Sequence, residues 1–548
     1  MPAAKKPETG LCFPVDTKGG RSTTDAGKNI LAAAFRGEGS AEGEQLAVAV
    51  EKERKFRFNY QKHYMKLVRL ACSNPDTSLR IARAGSEYMH KNFKFVDPVT
   101  KVEETFSDYM DDFASKGTFE VGSIKGSGQK GGSALNVPYK GGVLSGEKLK
   151  AQLNKWRSYG TIESDAAAAI SAIAEGKLDL SGQHFVLIGA GSAMGPFYKL
   201  LEHGATVVCI DIPGMWGERP QGMWKRLMDA AKASPGEILF PLKKKQSQCG
   251  SEEELLQNVG CNLTEQPAQI LNFLLAVAPG KPLTVGNYTY LDGDLHVKLS
   301  LAADAIIKNL CEKRAKTSVA FLCTPTDIHI INDASHAAAL QNFGMHPGRL
   351  LEGLIHLLSF GKFLKKNALK PVPTSDGGSL KIVDGLSVAQ GPNYALAKRL
   401  QHWRAQIEYE NGNTVSSNVA PSTATLSVVS NRSFGWAYGG MPFFKPYEIF
   451  HQDTTNAMMA SVLIADVTGK DAAANPANRK KYNIKNTLEI FKFNSVHGGV
   501  WRAAYKVDSI GETSVLIHFL GGPKYFLFVV ALLIAAAVYG VLKFTGSV

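Results

Sequence analysis

The stretch that most restricts the fold runs from Phe185 to Asp211, FVLIGAGSAMGPFYKLLEHGATVVCID. An apolar run (Phe185 to Ile188) enters a glycine-rich turn (Gly189 to Gly195), and a helical segment (Phe197 to His203) follows. Gly204 closes that helix, and a second apolar run (Thr206 to Ile210) ends at Asp211. Strand, glycine turn, helix, strand and acid in this order form the first unit of a dinucleotide-binding α/β sheet. Bare glycine backbone lets N–H groups approach a pyrophosphate, and the helix start offers partial positive charge. The acid can then hydrogen-bond a ribose hydroxyl. Read as G-x-G-x-x-G, the turn supplies Gly189 and Gly191 but has Met194 at the third position.

The rest of the chain extends that unit. Apolar runs at Leu283–Leu291 and Thr317–Cys323 alternate with helical patterns at Gly260–Val277 and Asp294–Arg314. This alternation predicts a doubly wound parallel α/β sheet, Rossmann-like, over 181–510. Two segments, 212–260 and 327–385, read as insertions. The second carries an amphipathic helix, Leu350 to Lys366, with apolar Leu354, Ile355, Leu357, Leu358, Phe360 and Phe363. Packing on the core and contact with a bilayer are both open to it.

Upstream, residues 1–43 are rich in small and polar residues without a sustained period, which predicts a disordered tail. Residues 44–180 read as a mainly helical N-terminal region, interrupted by a glycine-rich connector, Gly122 to Gly142. Toward the other end, Leu488 to Lys506 reads as a final strand and loop.

Tyr525 to Leu542 is an uncharged apolar run of 18 residues between Lys524 and Lys543. A bilayer-spanning helix needs roughly 17–25 such residues. With aromatic and lysine flanks the run predicts a single transmembrane helix; a buried core helix is the alternative. A span at 525–542 implies a tail anchor with the globular part on the cytosolic side, the endoplasmic reticulum being the favoured membrane. The formal net charge of +13 is spread over separate lysine clusters without interleaved aromatics. That suits an anionic membrane surface or an ordinary solvated basic surface, and argues against a nucleic-acid groove. Seven widely spaced cysteines without a C-x-x-C pair read as reduced thiols, and no metal-ligand spacing is present. The chain is compatible with a homo-oligomer.

A second informative stretch is Gly391 to Thr425. A helix from Tyr394 to Glu410 places Tyr394 and Lys398 four residues apart, on one face. An ammonium beside a phenol favours the phenolate, so the pair could exchange a proton with a substrate oxygen. A strand ending in Val419-Ala420-Pro421 follows.

With these residues in place, the chain resembles a divergent short-chain dehydrogenase/reductase over about 182–470. That superfamily's T-G-x-x-x-G-x-G turn is similar to Ile188–Gly195, with Ile188 in place of threonine and Ala193 in place of the middle glycine. The resemblance implies an NAD-dependent alcohol–carbonyl oxidoreductase, with NADP as the alternative cofactor. It makes Tyr394 and Lys398 catalytic, with Ser387 favoured as the substrate-binding hydroxyl and Thr324 as the alternative. It assigns Gly189, Gly191, Ser192, Met194, Gly195, Asp211, Asn287, Pro421, Thr423 and Thr425 to the nicotinamide dinucleotide. Asn287 stands in the region that replaces the family's N-N-A-G, and His296 in the place of its helix asparagine. Phe434, Trp436, Phe443 and Phe444, in the loop after the next strand, suit a small lipophilic substrate. A different class is also open: a non-catalytic Rossmann-fold subunit that senses nucleotide or serves a membrane assembly structurally.

Overall fold

The computed structural model of the chain describes residues 8–344 and 349–519. It corrects the expectation of disorder for residues 8–43; residues 1–7 of the expected tail lie outside the described residues. Helix α1 (Thr23–Gly37) is capped by Ser22, whose side chain accepts from the Asp25 N–H, and it buries Ala26, Ile30, Leu31, Ala34 and Phe35. Those positions form one helical face, but alanine supplies much of it, so the sequence shows little hydrophobic contrast. Helices α2 (Ala41–Glu51), α3 (Phe56–Cys72) and α4 (Pro75–Asn92) follow. Asn74 caps α4, and Pro75 sits at its start, where the missing N–H has no intrahelical partner to lose.

Seven strands form the main sheet. They are β1 (Glu120–Lys125), β2 (His184–Ile188), β3 (Thr206–Ile210), β4 (Glu237–Leu242), β5 (Leu283–Asn287), β6 (Thr317–Cys323) and β7 (Val415–Val419). Their order is β7-β6-β5-β2-β3-β4-β1. Strands β2 to β7 run parallel, and β1 closes one edge antiparallel to β4. Val186, Ile188, Val208 and Ile210 enter one core while Phe185, Leu187, Val207 and Cys209 enter the other. Both faces are covered, which is why these strands are apolar almost throughout.

Helices cover the two faces. Helix α5 (Phe197–Glu202) and α6 (Glu218–Ala233) lie on one side, α7 (Pro267–Ala276) and α8 (Asp294–Lys313) on the other. After α9 (Leu350–Leu358) come α10 (Pro392–Glu410), α11 (Arg432–Gly440), α12 (Gln452–Thr468) and α13 (Val507–Phe519). Leu396 and Leu400 of α10 join the core of α7 and α8. Leu463 and Ile464 of α12 join that of α5 and α6.

Several boundaries differ from the sequence reading. Residues 212–260 are no insertion, because they contain α6 and the third parallel strand β4. Its short run, EILFPL, is masked in the sequence by the lysines that follow. The glycine-rich connector contributes edge strand β1 and a hairpin, Val137–Tyr139 with Gly142–Leu144. Residues 327–385 do lie outside the main sheet, forming a small antiparallel one from Ile328–Ile331, Val372–Pro373 and Ser379–Asp384. Helix α9 stops at Leu358 instead of reaching Lys366, since Phe360 (φ 51°) and Gly361 (φ 71°) turn left-handed. The expected last strand is a 3₁₀ helix, Thr487–Lys492, begun by a reciprocal Asn486–Glu489 capping box. All seven cysteines are free thiols. No described helix is long and apolar enough to cross a membrane; the run 525–542 lies outside the described residues.

Candidate functional site

Parallel register brings the ends of five strands to one edge. Ile188 of β2 lies opposite Ile210 of β3 and Asn287 of β5, and Cys323 of β6 lies opposite Val419 of β7. Strand order reverses between β2 and β5, the position at which open parallel sheets leave a crevice for ligands.

The glycine turn leaves β2 on this edge. Gly189 is left-handed (φ 88°), and a Cβ there would stand 3.0 Å from the Thr289 nitrogen, so both conformation and clearance require glycine. The Gly191 N–H donates to Asp211 Oδ2 at 2.7 Å, and the Ile212 N–H to Oδ1 at 2.8 Å. Burial raises the Asp211 pKa, and these two donors work against that rise. The turn is tightened by Ser192 N–H to Gly189 O (3.1 Å) and Gly195 N–H to Ser192 O (3.0 Å). Met194 packs inward with Leu322, whereas Ala193 is exposed and its carbonyl accepts from Asn456 of α12 at 2.9 Å. Beside Met194 and Tyr288 a cavity of about 10 Å³ remains. Met223 of α6 sits over Gly191, where an added Cβ would run into its sulfur.

Helix α10 begins behind left-handed Gly391 and Pro392, and carries Tyr394 and Lys398 on adjacent turns. Lys398 Nζ donates to the Leu322 carbonyl at 3.1 Å and to Gln401 Oε1 at 3.2 Å. Burial lowers its pKa, against smaller opposing effects of Cys323 and Asp327. The ammonium lies 6.0 Å from the Tyr394 ring centroid. The expected phenolate is not favoured: burial raises the Tyr394 pKa, Tyr290, Asp327 and Tyr438 add to the rise, and only the Thr324 side chain is seen to oppose it.

That interaction separates the two candidate hydroxyls and corrects the preference for Ser387. Thr324 follows β6 directly and meets Tyr394, its own hydroxyl lying 2.8 Å from that of Thr326. Ser387 is elsewhere, donating to Asp508 at 3.0 Å, while its carbonyl accepts from Tyr60. Asn287 is buried, and its Oδ1 is held by the Thr289 N–H (3.1 Å) and hydroxyl (2.8 Å). Thr423 donates to the Pro421 carbonyl at 2.9 Å and lies 2.8 Å from the Thr455 hydroxyl. Thr425 is buried at the start of the same loop, its N–H on the Thr423 carbonyl.

Three neighbours complete the setting. The His296 ring lies 5.3 Å from those of both Tyr290 and Tyr394, and neither of its nitrogens has a partner among the described residues. Burial, helped by the Lys398 charge, pushes its pKa down to about 3. Tyr290 and Tyr438 escaped the sequence reading, because tyrosines in loops and short helices have no periodic signal. The expected aromatic lining is rearranged: Phe444 is fully buried against Tyr505, and Trp436 packs on Phe519 at 4.6 Å.

The glycine turn, the carboxylate at the end of β3 and the buried lysine lie along one sheet edge. The N–H groups of Gly189, Gly191 and Gly195 are held by the Ile210 carbonyl, Asp211 Oδ2 and the Ser192 carbonyl, so a dinucleotide would have to take the Gly191 N–H from Asp211. The fit requires Met223 to leave Gly191, which an unbranched thioether side chain can do by rotation. No protein-family model and no curated protein matches the chain.

Proposed function

We propose that this protein is a membrane-anchored NAD(P)-dependent oxidoreductase of short-chain dehydrogenase/reductase type, interconverting an alcohol and a carbonyl on a lipophilic substrate. One observation carries the reading. The edge that holds the glycine turn also receives Thr324 from β6 and Tyr394 and Lys398 from α10. In this reading the Gly191 N–H leaves Asp211 for the pyrophosphate as Met223 moves aside, while Gly189 and Gly195 add no side chain to the turn. The released Asp211 Oδ2 accepts from a ribose hydroxyl, which favours NAD over NADP. When bound, the nicotinamide supplies the hydride acceptor or donor. Thr324 holds the substrate oxygen, Tyr394 exchanges the proton at that oxygen, and Lys398 provides the positive charge that the buried phenol needs to ionise. The 525–542 run anchors the chain.

A second reading has its own support. Met223 on Gly191 and the raised Tyr394 pKa suit a Rossmann-type subunit that senses nucleotide or is structural, without turnover. The full chain in lipid nanodiscs separates the two. NADH and NADPH binding is measured by fluorescence, and hydride transfer by absorbance against a panel of lipophilic ketones and aldehydes. The enzyme reading expects turnover that Tyr394→Phe abolishes while binding persists. Binding without turnover for any carbonyl selects the sensor, and absence of binding selects the structural subunit.

A further inference from the structure

Three elements around α13 leave apolar side chains in the open. On and after α9, Leu357 is 62% exposed and Phe360 94% exposed, with Phe363 partly so. On the approach to α11, Leu426 is 81% exposed. At the end of α13, Leu516 and Phe519 are also uncovered. The elements are physically joined. Leu364 N–H donates to the Ser509 carbonyl at 3.3 Å, Lys365 N–H to Ser509 Oγ at 2.9 Å, and α11 packs on α13 through Trp436 and Phe519. Phe360 stands at a left-handed turn, where the chain reverses and its ring has no neighbour to cover it.

We propose that this surface rests on an anionic lipid membrane, with Phe360 and Phe519 at the boundary between headgroups and acyl chains. The inference depends on the membrane part of the reading above. Two observations select lipid over a protein partner. Lys362, Lys365 and Lys366 are exposed beside Phe360 and Phe363 and form no ion pair among the described residues, Lys366 lying 5.5 Å over the Phe343 ring, which suits anionic headgroups. The exposed acids of α13 are Asp508, which accepts from Ser387 and the Val388 N–H, and Glu512. Phe519 also precedes the 525–542 run so closely that even an extended connection spans only about 20 Å. A bilayer that receives the run therefore holds the end of α13 near its surface. Apolar tips flanked by lysines match the partition of an interfacial element. Helix α11, packed on α13, also bears Tyr438, which is near enough to add to the rise in the Tyr394 pKa.

The full chain is reconstituted with phosphatidylcholine–phosphatidylserine vesicles whose acyl chains are brominated. A polarity-sensitive fluorescent amino acid replaces Phe360, Phe519 or, as control, exposed Val99. Reporters at 360 and 519 are expected to shift to the blue and lose about half their emission to bromine, as an interfacial depth requires. The reporter at 99 should keep its emission. Changing Lys362, Lys365 and Lys366 together to glutamate should restore emission at 360. Chain that floats with vesicles but shows no quenching at 360 overturns this inference alone. A blue shift without quenching also overturns it, because protein then covers the patch. Chain that fails to float overturns both the inference and the anchor.

Discussion

The ammonium of Lys398 donates to the main-chain oxygen of Leu322 at 3.1 Å, tying the first half of α10 to the strand end that delivers Thr324. It has no acidic partner among the described ion pairs, and burial lowers its pKa. A buried cation without a counter-charge opposes folding, so Lys398→Met should leave the melting temperature unchanged or raise it. The pH dependence follows from the same shift. The unfolded lysine holds its proton to about pH 10.4, whereas the folded one releases it earlier. Between those values the unfolded state binds more protons, so the wild-type chain gains stability as pH rises toward 10. The methionine variant should lack that gain, while its NADH affinity falls by about tenfold through loss of one charge-assisted contact. Melting curves at pH 8 and 10, with NADH titrations at pH 8, check all three outcomes.

Thr324 and Ser387 should respond differently to alanine. Thr324→Ala removes the hydroxyl that meets Tyr394 and is expected to lower kcat/KM by about a hundredfold or more, as loss of a transition-state hydrogen-bond donor does. Ser387→Ala breaks the 3.0 Å bond to Asp508 and the 3.3 Å bond from the Ala389 N–H, both away from Tyr394, so turnover should stay at wild-type level. Its effect on stability should be about 1 kcal/mol at most. Equal losses in the two variants would return the assignment to an open choice.

These contrasts show where sequence pattern carried information. Strand β6 matches its expected bounds because all seven residues from Thr317 to Cys323 lie between a helix end and Thr324-Pro325. Helix α8 was equally legible, running from Asp294 to Lys313 with apolar positions at helical period. Strand β4 was not, because an apolar hexamer beside three lysines has no length or period to set it apart. At the site, Tyr394 and Lys398 shared a helix face and could be paired locally. The choice between Ser387 and Thr324 depended on a fold of residues 327–385 that sequence spacing does not encode. Met223 on Gly191 is a tertiary contact between α6 and the turn, and nothing in either stretch announces it.

Met223→Ala should expose Gly191. The methionine is only partly buried, so the truncation should lower stability by about 1 kcal/mol, below the 2–5 kcal/mol typical of a core methionine. Its removal is expected to tighten NADH binding several-fold, because the side chain no longer has to be displaced from the turn. Isothermal titration with both chains measures the change. Weaker binding in the variant would show that Met223 helps to hold the ligand.

Glu163 should be a strong point of the fold. It accepts from Ser335 and Asn332 at 2.6 Å, from Arg502 at 2.8 Å on both oxygens, and lies 2.8 Å from His497 Nε2. Burial pushes its carboxyl up, but Arg502 and His497 outweigh that and hold it well below the usual range. Glu163→Gln keeps the shape and leaves Arg502 facing a neutral amide, a loss of about 3–5 kcal/mol in urea unfolding. Adding Arg502→Met removes the stranded cation and should recover part of that loss, since groups in one network do not act independently.

His296 gives the chain a specific acid sensitivity. Its folded pKa is pushed down to about 3 by burial and by the Lys398 charge, whereas an unfolded histidine titrates near 6.5. Between these values the unfolded state binds the extra proton, so stability is full above about pH 6.5 and falls as pH drops toward 3. For this one group the loss from pH 7 to pH 5 is about 2 kcal/mol. His329, His402 and His497 are also buried with lowered pKa values, so the wild-type chain loses more than this in total. His296→Phe isolates the single contribution. The ring can keep its contacts with Tyr290 and Tyr394, and no nitrogen is left to protonate. The variant should therefore match or exceed wild-type stability at pH 7, because two unpartnered buried nitrogens are removed. At pH 5 it should retain about 2 kcal/mol more than the wild type does, relative to their pH 7 values. Guanidinium unfolding of both chains at the two pH values measures the difference. Parallel acid losses would mean that His296 is solvated or hydrogen-bonded in solution, and would remove it from the buried surroundings of Tyr394.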